Sequence, residues 1–194
     1  MKKADKLEEL RKRTISADLP LKKGHNLVFG KGNPDAKIMI IGEAPGAQED
    51  KKGVPFVGSA GKELDDLLGS IELSIEDVYI ANILKYRPPE NRNPSKDEIK
   101  SHAPFLIEQI KIINPDVIVT LGNFATKFVL AKFDASGMSS VDGITKVHGA
   151  VKQIKLDKDV FLVLPTYHPA AILYKRSLRN QIEEDFKELA RILK

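Results

Sequence analysis

The chain has 194 residues, of which 42% are hydrophobic and 30% are charged, and its formal net charge is +4 at pH 7. It contains no cysteine, which excludes disulfide bonds, thiol nucleophiles and cysteine-bound metal. The small positive charge permits a polyanionic partner without establishing one, and the length predicts one domain over residues 1–194.

Membrane and metal association are not expected from the pattern. No stretch approaches the roughly 18 apolar residues of a membrane span, and the charges of the first six residues are not followed by an apolar run. We therefore expect a cytoplasmic protein without a membrane partner. The four histidines show no spacing typical of metal ligands, so we expect no metal site.

The N-terminal part is predicted to contain a helix, an arm and the first strand. Leu7 and Leu10 lie among charges in residues 2–13, which predicts a short amphipathic helix. Prolines and glycines without a clear period make residues 14–33 an irregular arm. The apolar run at 37–41 predicts a strand. Helical spacing follows at Ala60, Leu64, Leu67 and Leu68.

The rest of the chain alternates in the same way. Further strands are predicted at 78–83, 116–121, 151–156 and 160–164. Ser95 and Glu98 form a capping box that begins a long helix, and a second helix ends near Ala131. A loop at 132–150 and a last amphipathic helix near 178–192 complete the chain. This alternation predicts a three-layer α/β/α fold with a central, mainly parallel four-stranded sheet.

Three polar motifs follow the carboxyl ends of predicted strands, where open parallel sheets bind their ligands. Residues 42–50 follow the first strand, and their glycines allow a sharp turn and a close approach to a ligand. Residues 82–92 follow the second strand, and 166–169 follow the last. Because parallel strands end at one edge, we expect the three motifs to meet there.

Four short motifs carry a resemblance to a known family. They are Gly-Glu-Ala-Pro-Gly at 42–46, Pro-Phe-Val-Gly-x-Ala-Gly at 55–61, Arg-Pro-Pro-x-Asn-Arg at 87–92 and His-Pro-Ala at 168–170. Together they resemble the uracil-DNA glycosylase superfamily, closest to its thermophile-type family four, which normally holds an iron–sulfur cluster. The resemblance runs from about Asn26 to the C-terminus.

The resemblance implies a DNA repair enzyme that hydrolyses the N-glycosidic bond of uracil and leaves an abasic site. Its partner would be uracil-containing single- or double-stranded DNA, and we expect a nucleoid-associated monomer. Two alternatives stay open: a glycosylase for another deaminated base, hypoxanthine or xanthine, and a damaged-DNA-binding protein without turnover. The joint presence of Glu43, Phe56, Asn82 and His168 argues against the second.

The resemblance also implies a pocket for a base flipped out of the duplex. Phe56 would stack on the uracil, and Asn82 can accept a hydrogen bond from N3–H and donate one to O4. His168 can stabilise the negative charge that develops on O2 as the bond breaks. Gly42 and Ala44 are the other expected substrate contacts.

The acidic residues of the first motif are assigned by the same resemblance. Glu43 and Glu49 are expected near the base and the attacking water, and Glu49 is also a candidate for excluding thymine at the 5-position. Ala44 stands where the best-known branch of the superfamily has a catalytic aspartate, so hydrolysis would depend on stabilising the leaving group. Asp50 is expected to be a solvated or capping acid.

Expected DNA contacts surround the base pocket. The resemblance places a wedge after the His-Pro motif, where Ile172, Leu173 or Tyr174 would fill the space left by the flipped base. For each basic residue the alternative is ordinary surface charge. Phosphate contacts are expected from Lys85, Arg87, Arg92, Lys175, Arg176 and Arg179.

The cysteine ligands of the family's cluster are absent. Aligned on the motifs, their positions are held by Ser16, Leu19, Tyr86 and His102. This set of side chains cannot hold an iron–sulfur cluster, so we expect no cofactor. We expect apolar and aromatic packing in its place, with Leu19, Tyr86 and His102 close together.

Overall fold

A six-stranded sheet forms the centre of the computed structural model, which describes all 194 residues. The strands are β1 Lys31–Gly32, β2 Ile38–Gly42, β3 Val78–Asn82, β4 Val117–Leu121, β5 Lys152–Leu156 and β6 Asp159–Thr166. Their order across the sheet is β1-β3-β2-β4-β6-β5.

The four central strands β3, β2, β4 and β6 run parallel, which confirms the predicted core of the sheet. Every residue of β2, β3 and β4 is buried, as parallel strands covered by helices on both faces require. Antiparallel edge strands, β1 on β3 and β5 on β6, bring the total to six rather than four. The two residues of β1 are too few to show a strand pattern.

Eight α-helices connect or cover the strands. They are α1 Lys3–Ser16, α2 Ala47–Lys52, α3 Ser59–Gly69, α4 Lys96–Ile113, α5 Gly122–Leu130, α6 Ile144–Val147, α7 Ala170–Tyr174 and α8 Arg179–Ile192. Short 3-10 turns lie at Ile75–Asp77, Pro89–Asn91, Gly137–Ser140 and Arg176–Leu178. No helix combines the length and the apolar character that spanning a membrane requires.

The helices form one layer on each face of the sheet. Alternate strand residues such as Met39 and Ile41 pack with α1, α4 and α5 in one apolar cluster. The intervening residues, such as Ile38 and Ile40, pack with α3, α7 and α8 in the other. The two-residue period of the strands therefore divides the core between two faces, and the three-layer α/β/α prediction is confirmed.

Local signals explain where the longest helix begins and ends. Ser95 accepts a hydrogen bond from the Glu98 backbone amide, while the Glu98 carboxylate accepts one from the Ser95 amide, so the predicted capping box is present. Asn114 ends α4 in a left-handed conformation. The loop predicted at 132–150 is partly helical instead, because a 3-10 turn and α6 lie within it.

Candidate active site

A cleft of about 370 Å³ opens at the carboxyl edge of the parallel strands. The loops after β2, β3 and β6 line it together, as expected for motifs that follow parallel strands. Six residues expected around the base lie in its wall: Glu43, Ala44, Glu49, Phe56, Asn82 and His168. The structure therefore brings together the side chains that the three motifs supply.

Phe56 occupies this wall with an unusual backbone. Its φ of 50° is a left-handed conformation that costs free energy for a residue with a large side chain. Lys31 of β1 donates from Nζ to the Phe56 carbonyl at 2.9 Å. Gly61 of α3 lies so close to the Phe56 carbonyl that a Cβ on Gly61 would overlap it. The conformation is thus held by its surroundings.

Glu49 fixes the other side of the Phe56 turn. Its Oε1 accepts hydrogen bonds from the backbone amides of Val57 and Gly58, each at 3.0 Å. Those amides precede α3, so a carboxylate here also complements the positive end of the helix dipole. One Glu49 oxygen is therefore committed to the loop, and Oε2 remains for the cleft.

Asn82 ends β3 with its side chain facing the cleft. It lies opposite Gly42 in the parallel register of β2 and β3, and it is buried. A Cβ on Gly42 would overlap the Asn82 Oδ1 and would meet the Phe56 ring at 3.0 Å. Gly42 therefore leaves the space in which the amide of Asn82 stands beside the ring of Phe56.

His168 follows β6 and faces Phe56 across the cleft. Their rings are stacked with centroids 5.6 Å apart and planes inclined by 25°. The backbone amide of Ala170 donates to His168 Nδ1 at 3.2 Å, which leaves the proton of the neutral ring on Nε2. Burial lowers the pKa of His168 to about 4. The ring is therefore a neutral donor through Nε2 at neutral pH.

The acids near the cleft differ in their surroundings. Glu43 is half-buried, has no cationic partner, and burial raises the pKa of its carboxyl group. Asp50 lies away from the cleft wall and bonds to His25 Nδ1 at 2.7 Å and to the Asn26 amide at 2.8 Å. The expectation of a solvated or capping Asp50 is thus wrong, because this acid ties the arm to α2.

The basic residues expected to bind phosphates are not equally available. Lys175 and Arg176 are exposed, and Arg87 is half-buried with its Nε bonded to Asn91. Arg92 lies at the cleft but forms a paired hydrogen bond with the Glu98 carboxylate, which lowers the pKa of Glu98 to about 2.

Two expected DNA contacts are corrected by the structure, and a third is weakened. Lys85 is 0% exposed, so it cannot reach a phosphate. Ile172 is 3% exposed because it packs into the core beside α3 and α8, so it cannot be a wedge. Arg179 is ion-paired with Glu63 at 2.5 Å. Leu173 and Tyr174 remain exposed on α7, and Tyr174 is 91% exposed.

The positions that correspond to the cluster ligands are occupied by ordinary packing. Both His102 nitrogens are engaged, with Nδ1 accepting from the Lys85 amide at 3.0 Å and Nε2 bonded to the Pro20 carbonyl at 3.1 Å. The His102 and Tyr86 rings meet edge to face with centroids 6.1 Å apart. Leu19 is buried and Ser16 is exposed.

These four residues do not fit an iron–sulfur cluster. Their donor set lacks thiolates, and the one imidazole among them already uses both of its nitrogens. Elsewhere the chain has no group of three histidine, aspartate or glutamate side chains that could hold a metal ion.

Sequence reasoning missed the support that Lys31 gives to the Phe56 turn beside the site. Its Nζ reaches the Phe56 carbonyl only because β1 pairs with the edge of β3. A single lysine in an arm without periodicity carries no signal of that contact. The strand pairing that brings Lys31 to the Phe56 carbonyl is a tertiary feature.

Comparison with known proteins agrees with the geometry. Residues 29–194 match the family model described as the uracil DNA glycosylase superfamily. A type-4 uracil-DNA glycosylase of Archaeoglobus fulgidus is 45% identical over 86% of this chain and 82% of the relative. Type-4 enzymes of Sulfurisphaera tokodaii and Thermotoga maritima are 48% and 44% identical over 84% and 87% of this chain and 73% and 84% of the relatives. The chain therefore belongs to the uracil-DNA glycosylase superfamily.

Proposed function

We propose that this protein removes uracil from DNA by hydrolysing the N-glycosidic bond, releasing free uracil and leaving an abasic site. The observation that carries the proposal is the convergence of Asn82, Phe56 and a neutral His168 on one cleft. These groups supply a base-reading amide, a stacking ring and a donor for the departing base. The similarity to type-4 uracil-DNA glycosylases supports the same reaction.

The base would be recognised along its Watson–Crick edge. The Asn82 amide offers an acceptor to N3–H and a donor to O4 from a buried position at the end of β3. Phe56 would stack on the face of the base. Because the centroids of Phe56 and His168 lie only 5.6 Å apart, the base would lie against Phe56 with O2 towards His168, not between the two rings.

His168 would stabilise the leaving group. As the bond from uracil N1 to the sugar C1′ breaks, its electron pair passes to the base and negative charge spreads to O2. A neutral imidazole that donates from Nε2 can hydrogen-bond to this oxygen and need not give up its proton. A hydrogen bond to a developing charge lowers the free energy more inside a cleft that excludes water than it does in water.

Glu43 would orient the attacking water, whose oxygen forms the new bond to C1′. Its carboxyl group has a pKa raised by burial and no ion-pair partner, so it can accept the proton that the water loses. Glu49 has one oxygen committed to the amides of Val57 and Gly58. We therefore assign Glu49 to holding the Phe56 loop, with Oε2 left to limit space near the base.

The proposal is tested by incubating the protein with oligonucleotides that contain uracil, hypoxanthine, xanthine or thymine at one position. Alkali then cleaves any abasic site. We expect strand cleavage at uracil and none at thymine. Preferential cleavage at hypoxanthine or xanthine would move the specificity to another deaminated base. Tight binding without cleavage would indicate a damage-binding protein.

We predict that Gly42→Ala slows uracil excision by about 100-fold, because a new Cβ would push the Asn82 amide away from its place and small misplacements of this kind cost about that factor. Gly69→Ala is the matched control, since a Cβ at the end of α3 meets no atom within 4 Å. Single-turnover rates of both variants provide the measurement. Equal rates would mean that the space beside Gly42 does not matter.

We place the DNA across the face of the cleft that carries α7 and the following turn. Leu173 and Tyr174 are the exposed apolar side chains there, and we assign the wedge to Tyr174, the more exposed of the two. Lys175 and Arg176 follow at once and are exposed, which suits phosphate contact. Arg87 and Arg92 would approach the strand from the opposite loop.

Arg176→Ala is predicted to reduce the salt dependence of DNA binding. Each phosphate contact contributes about −0.9 to the slope of log affinity against log salt on duplex DNA, so the slope should become about one unit less steep. Arg191→Ala is the control, because Arg191 lies in the last turn of α8 and pairs with Glu188. If the slope became less steep by the same amount in both variants, the DNA would not lie along Arg176.

We propose that the protein works without an iron–sulfur cluster. The purified protein should be colourless and iron-free, because no thiolate is present and His102 is used in packing. Metal analysis and the visible absorption spectrum provide the measurement. Stoichiometric iron with charge-transfer absorption would contradict this assignment.

We further propose that the whole chain acts as one domain and as a monomer on cytoplasmic, nucleoid-associated DNA, single- or double-stranded. The two apolar clusters that share one sheet support the first point. The mass in solution, measured by light scattering, tests the second.

A further inference from the structure

Lys85 is a fully buried lysine that the proposed reaction does not use. Its Nζ donates to the Asn82 backbone carbonyl at 2.8 Å and to Gln109 Oε1 at 2.6 Å. No carboxylate lies within ion-pair distance of it, and the Phe29 ring centroid is 5.9 Å away. Burying an ammonium without an anionic partner costs stability, so the hydrogen bonds that Lys85 makes require an explanation.

The edge of the sheet explains what Lys85 contacts. The strand β1 pairs Lys31 with Ile80 in antiparallel register, and two residues further this register would set Phe29 opposite Asn82. The strand β1 begins only at Lys31, so Phe29 does not pair with Asn82. The Asn82 carbonyl therefore has no backbone partner on this side. A backbone acceptor left without a partner in a buried place is costly.

A side-chain bridge takes the place of the missing strand pairing. Gln109 of α4 donates from Nε2 to the Phe29 carbonyl at 2.9 Å, and its Oε1 accepts from Lys85, which in turn donates to Asn82. The main chain of Lys85 is also fixed, because its amide donates to His102 and its carbonyl accepts from Val28. The bridge thus joins the arm, α4 and the end of β3.

We propose that Lys85 is a positioning residue for Asn82, and that the bridge from Phe29 through Gln109 and Lys85 fixes the direction in which the Asn82 amide meets the base. This inference rests on the proposed uracil excision. Burial lowers the pKa of Lys85 to about 7. A neutral amine still donates hydrogen bonds, so the contact to Asn82 does not depend on the charge.

A double-mutant cycle tests whether Lys85 acts through Asn82. Lys85→Met keeps an unbranched side chain only one atom shorter and removes the donor. We expect it to slow single-turnover uracil excision by about 10- to 100-fold, the scale of a small misplacement of a reacting group. In an Asn82→Ala background the same change should alter the remaining rate by less than about threefold, because no amide is left to position.

A control variant separates positioning from loss of stability. Thr126→Val removes a buried hydroxyl pair between Thr120 and Thr126, whose oxygens are 2.9 Å apart and which belong to neither the cleft nor the bridge. We expect it to lower the melting temperature without changing the excision rate. Gln109→Leu removes the support of Lys85 from the other side and should repeat the non-additive result if Lys85→Met does not fold.

A second measurement tests the position of Asn82 without requiring turnover. The Asn82 side-chain amide should give one sharp pair of resonances in the proton–nitrogen spectrum of the wild type, shifted or broadened in Lys85→Met and unchanged in Thr126→Val. If the wild type excises uracil but Lys85→Met costs the same factor in both Asn82 backgrounds, the inference is overturned and the proposed function stands. If the wild type does not excise uracil, the proposed function fails, and an unchanged Asn82 resonance would overturn the inference as well.

Discussion

Replacing His168 with alanine is expected to slow uracil excision by about 10²- to 10³-fold, the usual cost of removing one donor from an oxyanion site. The ring is aimed by the Ala170 amide on Nδ1, so that Nε2–H is free to face O2 of the departing base. Alanine has no donor, and the charge that develops on the base would be left without its partner. Single-turnover excision with enzyme in excess measures the chemical step.

Two comparisons make the His168 result specific. His168→Gln restores an N–H donor of similar reach and should recover part of the lost rate. Because the pKa of the wild-type ring is held at about 4, the ring is neutral from pH 5 to 8, and His168 should cause no loss of rate as the pH rises through this range. A rate that falls near pH 6.5 only in the wild type would indicate a charged imidazole, and an alanine variant with the wild-type rate would remove His168 from the mechanism.

Asn82→Asp is expected to reduce uracil excision by about ten- to a few hundred-fold. The two side chains are nearly isosteric, so the change is electronic. An ionised aspartate still accepts from N3–H, but it cannot donate to O4 and repels it. A buried acceptor without a partner costs about 1–3 kcal/mol, and more beside a charge, which converts to this loss at about 1.36 kcal/mol per tenfold.

The same substitution elsewhere provides the control for Asn82→Asp. Asn123 is exposed, and its Oδ1 accepts a hydrogen bond from the Ile144 amide. Aspartate keeps that acceptor, so Asn123→Asp should leave both the excision rate and the melting temperature nearly unchanged. If Asn82→Asp excised uracil at the wild-type rate, Asn82 would not read the base.

The sequence predicted the parallel core of the sheet because strong apolar runs mark buried strands. Each such strand ends in a polar motif, and parallel strands end at one edge, so the meeting of Glu43, Asn82 and His168 also followed from pattern. The edge strand at 31–32 and the helix at 144–147 could not be predicted in the same way. Elements of two to four residues depend on tertiary contacts and have no period of their own.

The availability of individual side chains was the least predictable feature. Lys85 follows β3 and Ile172 lies in α7, and both were expected to reach the DNA, yet both are buried. Their surroundings come from α4 in one case and from α3 and α8 in the other, which are distant along the chain. A lysine expected from the sequence to contact phosphate therefore proved to be a buried hydrogen-bond donor to the Asn82 carbonyl.

The measurement that most directly tests the central claim is the amount of free base released by the wild-type protein. A duplex with one uracil opposite guanine is incubated with excess protein, and free bases and abasic sites are counted together by mass spectrometry. We predict one free uracil for each abasic site, and no thymine from a matched duplex with thymine at that position. Bound duplex with no free uracil would contradict the assignment of this protein as a uracil-DNA glycosylase.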